Sequence, residues 1–446
     1  VTYPDCLTPD ELAEAAEYIR FLNRSTGKVR TGMGAAREDV NVSCEGGSRV
    51  EIKGVAHIKW IPELSHNEAF RQYALLNIRS KLRRITSDPA SWSIRTREIT
   101  ENEKELHFSP VRAALDRGEK VMALNLPGCR GILSHFTQPG LIFADEISDR
   151  LKVIACIEKP NMIHSEEISA VNFNSLFPEV AIWLSSSPDD AQIILWGPAD
   201  DIPTALETVE ERIRLAFEGV PNETRKAFED GTTMFERVLP GRDRMYPDTD
   251  SQPIPVTTEM LDRLGRGMPV DVAERYNQMK EWGLPEDTWH YLLSKNLVGL
   301  IERIGNDFGF DCREVGIIIG HRFRNLQGRG KVAKGFTPER LYDLFAFLKK
   351  EKLIPPVARI MLPAVVASLA TDFESILAAT GIRRSTMDEV RKEIKVHAQR
   401  FPEVCFNGNK AGIEDWVMGQ LHMKAIGTVR LSEVRKAVSE IVEVSE

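Results

Sequence analysis

The 446-residue sequence contains no long apolar run and only six cysteines, and both shortages narrow the possible classes of protein. A membrane-spanning helix needs about 18 or more consecutive apolar residues, and no stretch of the chain approaches that length. The cysteines are scattered without a C-x-x-C pair, which argues against a zinc site or a disulfide framework. The first residues also lack the charged and apolar segments of a secretion signal. We therefore expect a cytoplasmic protein with no membrane partner.

Several common catalytic motifs are missing as well. The sequence has no G-x-x-x-x-G-K-[ST] phosphate loop, no H-E-x-x-H and no G-x-S-x-G. The short run Gly32-Met33-Gly34 is only half of a dinucleotide fingerprint and precedes a predicted strand, so a Rossmann-type site is not favoured. The net charge of −8 argues against a generally basic surface for nucleic acid, although local basic patches remain compatible with it.

The order of patterns along the chain predicts a multidomain α+β protein. Helical signals open the chain at Thr8, and strand-like and helical runs alternate between about residues 103 and 233. In that region we predict strands over residues 120–126, 151–157, 179–184 and 191–196, and a helix over 203–217. From about residue 257 the strand signals disappear and helical periodicity continues to the end.

Two alternating runs, at residues 38–44 and 49–53, are joined by a Gly-Gly turn and predict a β-hairpin. The apolar residues of each run share one face, and a one-residue slip would set polar side chains against apolar ones. Matching the faces requires an odd number of loop residues, and we expect three or five. The polar face would then bring Asp39 and Asn41 beside Glu51 and Lys53.

This polar face has two possible interpretations. Asp39 and Glu51 supply the carboxylate oxygens that Mg²⁺ prefers, while Arg37 and Lys53 could hold phosphate oxygens. Mg²⁺ with basic side chains is the usual equipment for stabilising a transferring phosphoryl group. The alternative is a solvated hairpin with ordinary cross-strand ion pairs, and the pattern alone favours this alternative because exposed alternation is common.

Three other groups of residues are weaker candidates. Arg244, Tyr246, Asp248 and Asp250 could line a pocket, but charged loops containing proline are usually solvated. The run 164–167 could supply ligands or cap a helix. A basic group could contact RNA or form an exposed helix face; it consists of His321, Arg322, Arg324, Arg329, Lys331 and Lys334.

Longer motifs carry a resemblance to a known family. They read REDVNVS at residues 37–43, RVEIKGV at 49–55, EAFRQ at 68–72, GVPNETR at 219–225, DGTT at 230–233 and RMYPDTD at 244–250. In these motifs the chain resembles the GatB/GatE family of tRNA-dependent amidotransferase subunits, and the archaeal E subunit of glutamyl-tRNA(Gln) amidotransferase more than the bacterial B subunit.

The resemblance implies four parts. A cradle domain would comprise residues 1–102 and 234–256 with a mixed or antiparallel sheet, and an insertion like that of bacterial aspartyl-tRNA synthetases would comprise 103–233. An all-helical domain would follow at 257–380 and a helical, YqeY-like tail domain at 381–446. The family's initial segment, roughly G-L-E-[VI]-H-Q-Q-L, is not found, and the chain opens at Val1 without an initiator Met. We therefore expect an N-terminally truncated fragment with an incomplete metal site and no activity by itself.

The resemblance also implies a reaction and its site. The family acts as a carbon–nitrogen ligase that converts Glu-tRNA(Gln) to Gln-tRNA(Gln), using ATP, Mg²⁺ and ammonia from a partner glutaminase. Asp39 and Glu51 would hold the metal, Arg37 and Lys53 would contact phosphate, and Asn41 would orient a carboxylate. Arg244, Tyr246 and Asp248 would border the same cavity, the first two binding ATP.

The implied partners are tRNA(Gln) charged with glutamate and an asparaginase-like D subunit, in a heterotetramer. The main alternative is a non-catalytic tRNA-binding scaffold. An aspartyl-tRNA synthetase relative is disfavoured because the sequence carries no synthetase catalytic motif.

Overall fold

The structure is a computed structural model that describes most of the chain. The described residues are 5–30, 32, 35–86, 88–100, 109–167, 176–239, 254–382, 384–404 and 410–444. The chain divides into two compact units, the first comprising residues 1–17 and 30–255 and the second residues 18–29 and 256–446. No helix in the described ranges is both long enough and apolar enough to span a membrane.

The strands in the described part of the first unit form three sheets. Their bounds are β1 Val40–Val42, β2 Val50–Lys53, β3 Arg95–Ile99, β4 Lys120–Leu126, β5 Phe136–Gln138, β6 Leu141–Ile142, β7 Met162–His164, β8 Ala191–Gly197, β9 Glu223–Ala227 and β10 Thr233–Val238. One sheet has the order β1-β2-β9-β10 and a second has the order β3-β4-β8-β7, while β5 and β6 pair with each other. The described part of the unit is therefore mixed α+β, as predicted.

The predicted hairpin is present with the predicted faces. Strands β1 and β2 are antiparallel, and Val40 pairs with Ile52, Asn41 with Glu51, and Val42 with Val50. The connection is longer than we expected, since residues 43–49 separate the strand ends. It still has an odd length, so the parity argument gave the correct register.

Strand β9 joins the hairpin to a distant part of the chain. It runs parallel to β2, with Glu51 opposite Thr224 and Lys53 opposite Lys226, and antiparallel to β10. The expected domain limits assign β9 to the insertion. The backbone pairing of β9 with β2 instead makes it part of the sheet that contains the hairpin. Likewise β3, which those limits assign to the cradle, pairs with β4. The four-part division of the chain stays a prediction.

Within the described residues, six α-helices accompany these sheets. They are α1 Pro9–Ser25, α2 Ile61–Leu82, α3 Ser109–Asp116, α4 Phe143–Ile154, α5 Leu176–Trp183 and α6 Ile202–Glu218. The predictions of β4, β8 and α6 are confirmed, but those of strands at 151–157 and 179–184 are wrong, because these residues belong largely to α4 and α5. Short apolar runs have the same periodicity in a buried strand and in a buried helical turn, which explains the error.

Helix α2 covers the inner face of the hairpin sheet. Ile61 and Leu64 pack with Val40 and Ile52, and all four are buried. Farther along α2, Leu75, Ile78 and Leu82 enter a larger core that contains residues of β4, β8, α4 and α6. A third core lies between the second sheet and helices α3 and α5. One helix therefore connects the hairpin to the neighbouring α+β layer.

The second unit is helical throughout its described residues. After the C-terminal part of α1 come α7 Thr258–Gly265, α8 Val272–Glu281, α9 Glu286–Ser294, α10 Val298–Phe308, α11 Cys312–Ile317, a π-helical turn Ile318–Phe323, α12 Arg324–Gly328, α13 Glu339–Lys350, α14 Pro356–Ala367, α15 Phe373–Thr380, α16 Met387–Val404, α17 Lys410–Ala425 and α18 Leu431–Val444. Helices α8 to α15 share one core, and α16 to α18 build a separate one. The prediction of helices after residue 257 is confirmed.

Candidate active site on the hairpin sheet

The outer face of the hairpin sheet gathers the residues that the sequence nominated. Asn41 and Glu51 are directly paired, and Asp39 immediately precedes β1, where the same register sets it opposite Lys53. Successive strand side chains point to opposite faces, so these four share the face that α2 does not cover. They remain partly exposed, whereas Val40, Val50 and Ile52 are buried.

Each carboxylate of this face already has a cationic neighbour. Asp39 Oδ1 accepts hydrogen bonds from Arg37 Nε at 3.1 Å and from the Gly54 backbone N–H at 3.1 Å. Glu51 Oε1 lies 3.6 Å from Lys53 Nζ. Arg37 is 64% exposed, while the Lys53 side chain is only 14% exposed. The structure thus brings the four predicted residues Asp39, Asn41, Glu51 and Lys53 together. The exposed Arg37 side chain lies beside them, where it can contact a ligand.

Strands β9 and β10 extend the polar face beyond what the sequence predicted. Thr224 and Lys226 lie beside Glu51 and Lys53 in the parallel pairing of β2 with β9. Thr224 Oγ1 donates to Glu236 Oε2 at 3.1 Å, which ties β9 to β10. The GVPNETR motif covers Thr224 but ends before Lys226, and a parallel pairing between positions so far apart in sequence leaves no local pattern.

The donor set fits Mg²⁺ only in a restricted way. Among the described residues, no group of three or more His, Cys, Asp or Glu side chains is arranged to hold a metal ion. Magnesium is commonly bound through one or two carboxylates, with water and phosphate oxygens completing its octahedron. Asp39 and Glu51 on adjacent strands are compatible with such a two-carboxylate site. The nominated loop residues Arg244, Tyr246 and Asp248 lie outside the described residues.

Behind the polar face, the inward side chains of β9 enter a buried ionic network that sequence reasoning did not anticipate. Glu223 accepts from Arg150 Nη2 at 2.6 Å and Arg225 Nη1 at 2.6 Å, and also from Arg71. Glu146 accepts from Arg212 Nη2 at 2.6 Å and from Arg71. All of these side chains are at most 4% exposed. The network joins β9 to α2, α4 and α6.

The arginines keep two of the buried carboxylates ionised. Burial by itself would raise the pKa of Glu223, but Arg71, Arg225 and Arg150 outweigh it and lower that pKa to about 2. Burial likewise opposes ionisation of Glu146, yet Arg71 and Arg212 hold its pKa well below the usual range. Glu68 is different, since burial dominates and raises its pKa despite the nearby Arg71.

The EAFRQ motif, which lies on α2, holds the hairpin loop through hydrogen bonds of Gln72. Gln72 Oε1 accepts from the Cys44 N–H at 3.0 Å, and Gln72 Nε2 donates to the Val42 carbonyl at 3.1 Å and to Glu68 Oε1 at 3.1 Å. A Cβ at Gly47 would come within 2.5 Å of Gln72 Oε1, so a larger residue there would displace Gln72 from these hydrogen bonds. The motif thus positions the polar face and is not part of it.

The basic group of the second unit lies on and after the π-helical turn. His321 Nε2 is 3.0 Å from Asp287 Oδ2, and Arg324 Nη1 donates to the Asp287 carbonyl at 2.8 Å. Arg324 also lies over the Tyr291 ring at 5.7 Å. Arg329, Lys331 and Lys334 are exposed. This surface remains available for a phosphate backbone, but nothing in its geometry is specific to RNA.

The fold and site define a class: an α+β unit with a charged sheet face, followed in sequence by an all-helical unit. Residues 1–262 match the GatB/GatE catalytic domain. Because this match covers more than half of the chain, the protein belongs to the GatB/GatE family.

Archaeal relatives that are named as the E subunit of glutamyl-tRNA(Gln) amidotransferase match most of the chain. That of Sulfurisphaera tokodaii is 28% identical over 95% of this chain and 69% of its own length. The relative from Methanopyrus kandleri is 31% identical over 84% of this chain and 58% of its own length. The one from Methanocaldococcus jannaschii is 29% identical over 99% of this chain and 70% of its own length. The chain therefore spans 58–70% of the length of these three relatives.

Proposed function

We propose that this chain is the tRNA-binding, ATP-using subunit of a tRNA-dependent amidotransferase that converts Glu-tRNA(Gln) to Gln-tRNA(Gln). The observation that carries the proposal is the outer face of the hairpin sheet, where Asp39, Asn41, Glu51 and Lys53 meet in the predicted register. Family membership and the names of the archaeal relatives support the same reaction.

The reaction has two chemical steps at the substrate. An oxygen of the glutamyl side-chain carboxylate attacks the γ-phosphorus of ATP, and the bond to ADP breaks. Ammonia then attacks the carbonyl carbon of the acyl phosphate, inorganic phosphate leaves with the C–O electron pair, and the nitrogen loses a proton. Phosphorylation is needed because an oxide is a very poor leaving group, whereas phosphate is a good one.

The residues of the outer face have distinct roles in this proposal. Arg37, which is largely exposed, and Lys53 contact the phosphate oxygens and offset their charge. Asp39 and Glu51 would hold Mg²⁺, which when bound neutralises charge on the phosphates. Asn41, paired with Glu51, orients that carboxylate. Lys226 of β9 adds a second cation beside Lys53. The assignment of Arg244 and Tyr246 to ATP stays a prediction.

Ammonia and tRNA require further surfaces. The sequence carries no amidase-like or asparaginase-like nucleophile motif, so a partner of the asparaginase-like D type would supply ammonia, in a heterotetramer. Contacts to tRNA would come from the helical second unit, where the exposed cations Arg329, Lys331 and Lys334 suit a phosphate backbone. Binding through such contacts should weaken steeply as salt rises.

The decisive assay is formation of Gln-tRNA from Glu-tRNA(Gln) with ATP, Mg²⁺, glutamine and an archaeal asparaginase-like partner. The chain is compared with a version extended at its N terminus by the preceding segment of one of the archaeal relatives. We expect Asp39→Asn and Glu51→Gln to lower the rate by about 10²-fold or more, as loss of charge stabilisation at a phosphoryl-transfer site does. The matched control is Glu98→Gln, whose carboxylate is exposed on the other sheet. Equal rates in all three variants would remove the site assignment.

A second candidate function is a non-catalytic tRNA-binding scaffold. It is favoured by the existing contacts of the Asp39 carboxylate, which already accepts hydrogen bonds from Arg37 and Gly54. The scaffold predicts salt-sensitive tRNA binding without ATP turnover in either version. Activity of the extended version that depends on Asp39 would exclude it.

A further inference from the structure

Two apolar side chains extend the outer face of the hairpin sheet beyond its charged residues. Side chains alternate along a strand, so Phe228, which directly follows β9, lies on the same side as Lys226, while Ala227 between them is buried. Lys226 Nζ lies 5.6 Å from the centroid of the Phe228 ring, in agreement with this orientation. Met234 of β10 is paired with Lys226 and is partly buried. The outer face therefore has an apolar end next to a cation.

A tight turn fixes the position of Phe228. Its N–H donates to the Thr232 carbonyl at 3.0 Å, and its carbonyl accepts from the Gly231 N–H at 3.2 Å. Gly231 has a φ of +74°, which favours glycine, and its carbonyl accepts from Asn67 Nδ2 of α2 at 2.8 Å. The Phe228 side chain is nevertheless 36% exposed. The turn thus keeps a large apolar ring in place at the surface.

The outer face changes in character from this end to the other. After Phe228 come two cations side by side, Lys226 of β9 and Lys53 of β2. Asp39 lies opposite Lys53 on the next strand. Strands lie about 4.8 Å apart and rise about 3.3 Å per residue, so two strands and two residues separate Phe228 from Asp39 by about 12 Å. This separation is close to that between the base and the terminal phosphate of an extended ATP molecule.

We propose that Phe228 binds an adenine ring by stacking, with Met234 beside it, while Lys226 and Lys53 bind the attached phosphates. The inference rests on the proposed function, whose two substrates both carry adenine, namely ATP and the terminal adenosine of tRNA. An isolated exposed phenylalanine is an ordinary surface feature. Phe228 differs because a fixed ring beside two cations offers both contacts that a nucleotide needs, a flat apolar face and positive charge.

The test measures binding of MgATP and of inorganic tripolyphosphate to the whole chain by isothermal titration calorimetry. Tripolyphosphate carries the phosphates of ATP without a base. Phe228→Leu should weaken ATP binding at least about fivefold, as the loss of one base–aromatic stack does, and should leave tripolyphosphate binding unchanged. Lys226→Met should weaken the binding of both ligands. The matched control is Phe136→Leu, at a 59% exposed ring on β5 outside this sheet, and it should change neither.

A second variant keeps the test independent of Phe228→Leu. Phe228→Trp retains a flat ring, and an adenine stacked on indole quenches its fluorescence. ATP should therefore lower the emission of Phe228→Trp by more than that of the wild type, and tripolyphosphate should not. Thermal unfolding of each variant checks that it is folded.

The assay of Gln-tRNA formation distinguishes the two sources of adenine. A higher KM for ATP in Phe228→Leu, with an unchanged KM for Glu-tRNA(Gln), assigns the ring to ATP, and the reverse assigns it to the tRNA. If the wild type binds neither ligand and forms no Gln-tRNA, the proposed function fails and the inference fails with it. If the wild type forms Gln-tRNA while Phe228→Leu leaves both KM values and ATP binding unchanged, only the stacking role of Phe228 is refuted.

Discussion

Glu223 offers a direct test of how the first unit is held together. Its buried carboxylate accepts hydrogen bonds from three guanidiniums, those of Arg71, Arg150 and Arg225. Glu223→Gln keeps the shape of the side chain but removes its negative charge, and it replaces one acceptor oxygen by an amide donor. The three arginines would then face one anion fewer in a site where all of these side chains are buried.

The expected cost follows from this burial. Removing one partner of a buried ion pair destabilises a protein by about 3–5 kcal/mol, because the remaining charge stays uncompensated. For a domain of this size each kcal/mol corresponds to about 2–4 °C in Tm, so Tm should fall by about 6–20 °C. Such a loss is a large fraction of the roughly 5–15 kcal/mol that stabilises an ordinary domain.

The assay is urea unfolding followed by circular dichroism, together with thermal unfolding of the same samples. The matched control, Glu98→Gln, removes a carboxylate that lies 3.3 Å from Lys120 Nζ and is 48% exposed. Exposed pairs contribute only about 0–1 kcal/mol, so this control should unfold close to the wild type. The double variant Glu223→Gln/Arg150→Met should recover part of the loss, because it also removes one uncompensated cation. If Glu223→Gln stays within about 1 kcal/mol of the control, the network does not carry the stability assigned to it.

Three further outcomes can be checked with the same instruments. The arginines outweigh burial and lower the folded-state pKa of Glu223 to about 2 from an ordinary 4.5. The stabilisation that this carboxylate contributes is therefore present above about pH 4.5 and is lost as pH falls toward 2. Over this window the urea midpoint of the wild type should drop by more than that of Glu223→Gln. Ile52→Ala, at a fully buried position under α2, should cost about 2–5 kcal/mol in urea unfolding, whereas a loss below about 1 kcal/mol would mean that the sheet repacks. Asp372→Ala removes the cap of α15, where Asp372 Oδ1 accepts from the Ser375 N–H at 2.8 Å, and should lower the stability of the second unit by about 0.5–2 kcal/mol, with Asp372→Asn close to wild type.

The hairpin shows what a single sequence can specify. Its register followed from parity alone, because the apolar residues of both strands must share one face, and the longer loop of residues 43–49 did not change the answer. The strands predicted at 151–157 and 179–184 failed for a local reason: each run was too short to distinguish a strand from a buried helical turn. The type and the limits of a secondary-structure element are predicted poorly wherever the apolar pattern covers fewer residues than two helical turns.

The buried network could not be predicted from composition or periodicity. Glu68, Arg71 and Glu223 are residue types that normally face solvent, and nothing in their local sequence distinguishes a buried member from an exposed one. The EAFRQ and GVPNETR motifs meet where Arg71 of α2 contacts Glu223 of β9, a contact between residues that are 152 positions apart in sequence. The family resemblance marked these segments as important without saying that they act through packing.

Strand β9 contributes residues both to the buried ionic network and to the sheet beside the candidate site. Its side chains alternate, so Glu223 and Arg225 lie in the buried network, while Lys226 is exposed beside Lys53 and Thr224, opposite Glu51, is itself buried. A change at Glu223 therefore alters both stability and the position of the outer residues, and a loss of activity in Glu223→Gln is not by itself a catalytic effect. Lys226→Met separates the two, because its side chain is exposed and outside the network. If it lowers the rate of Gln-tRNA formation while Tm is unchanged, β9 contributes to the chemistry of the site as well as to its support.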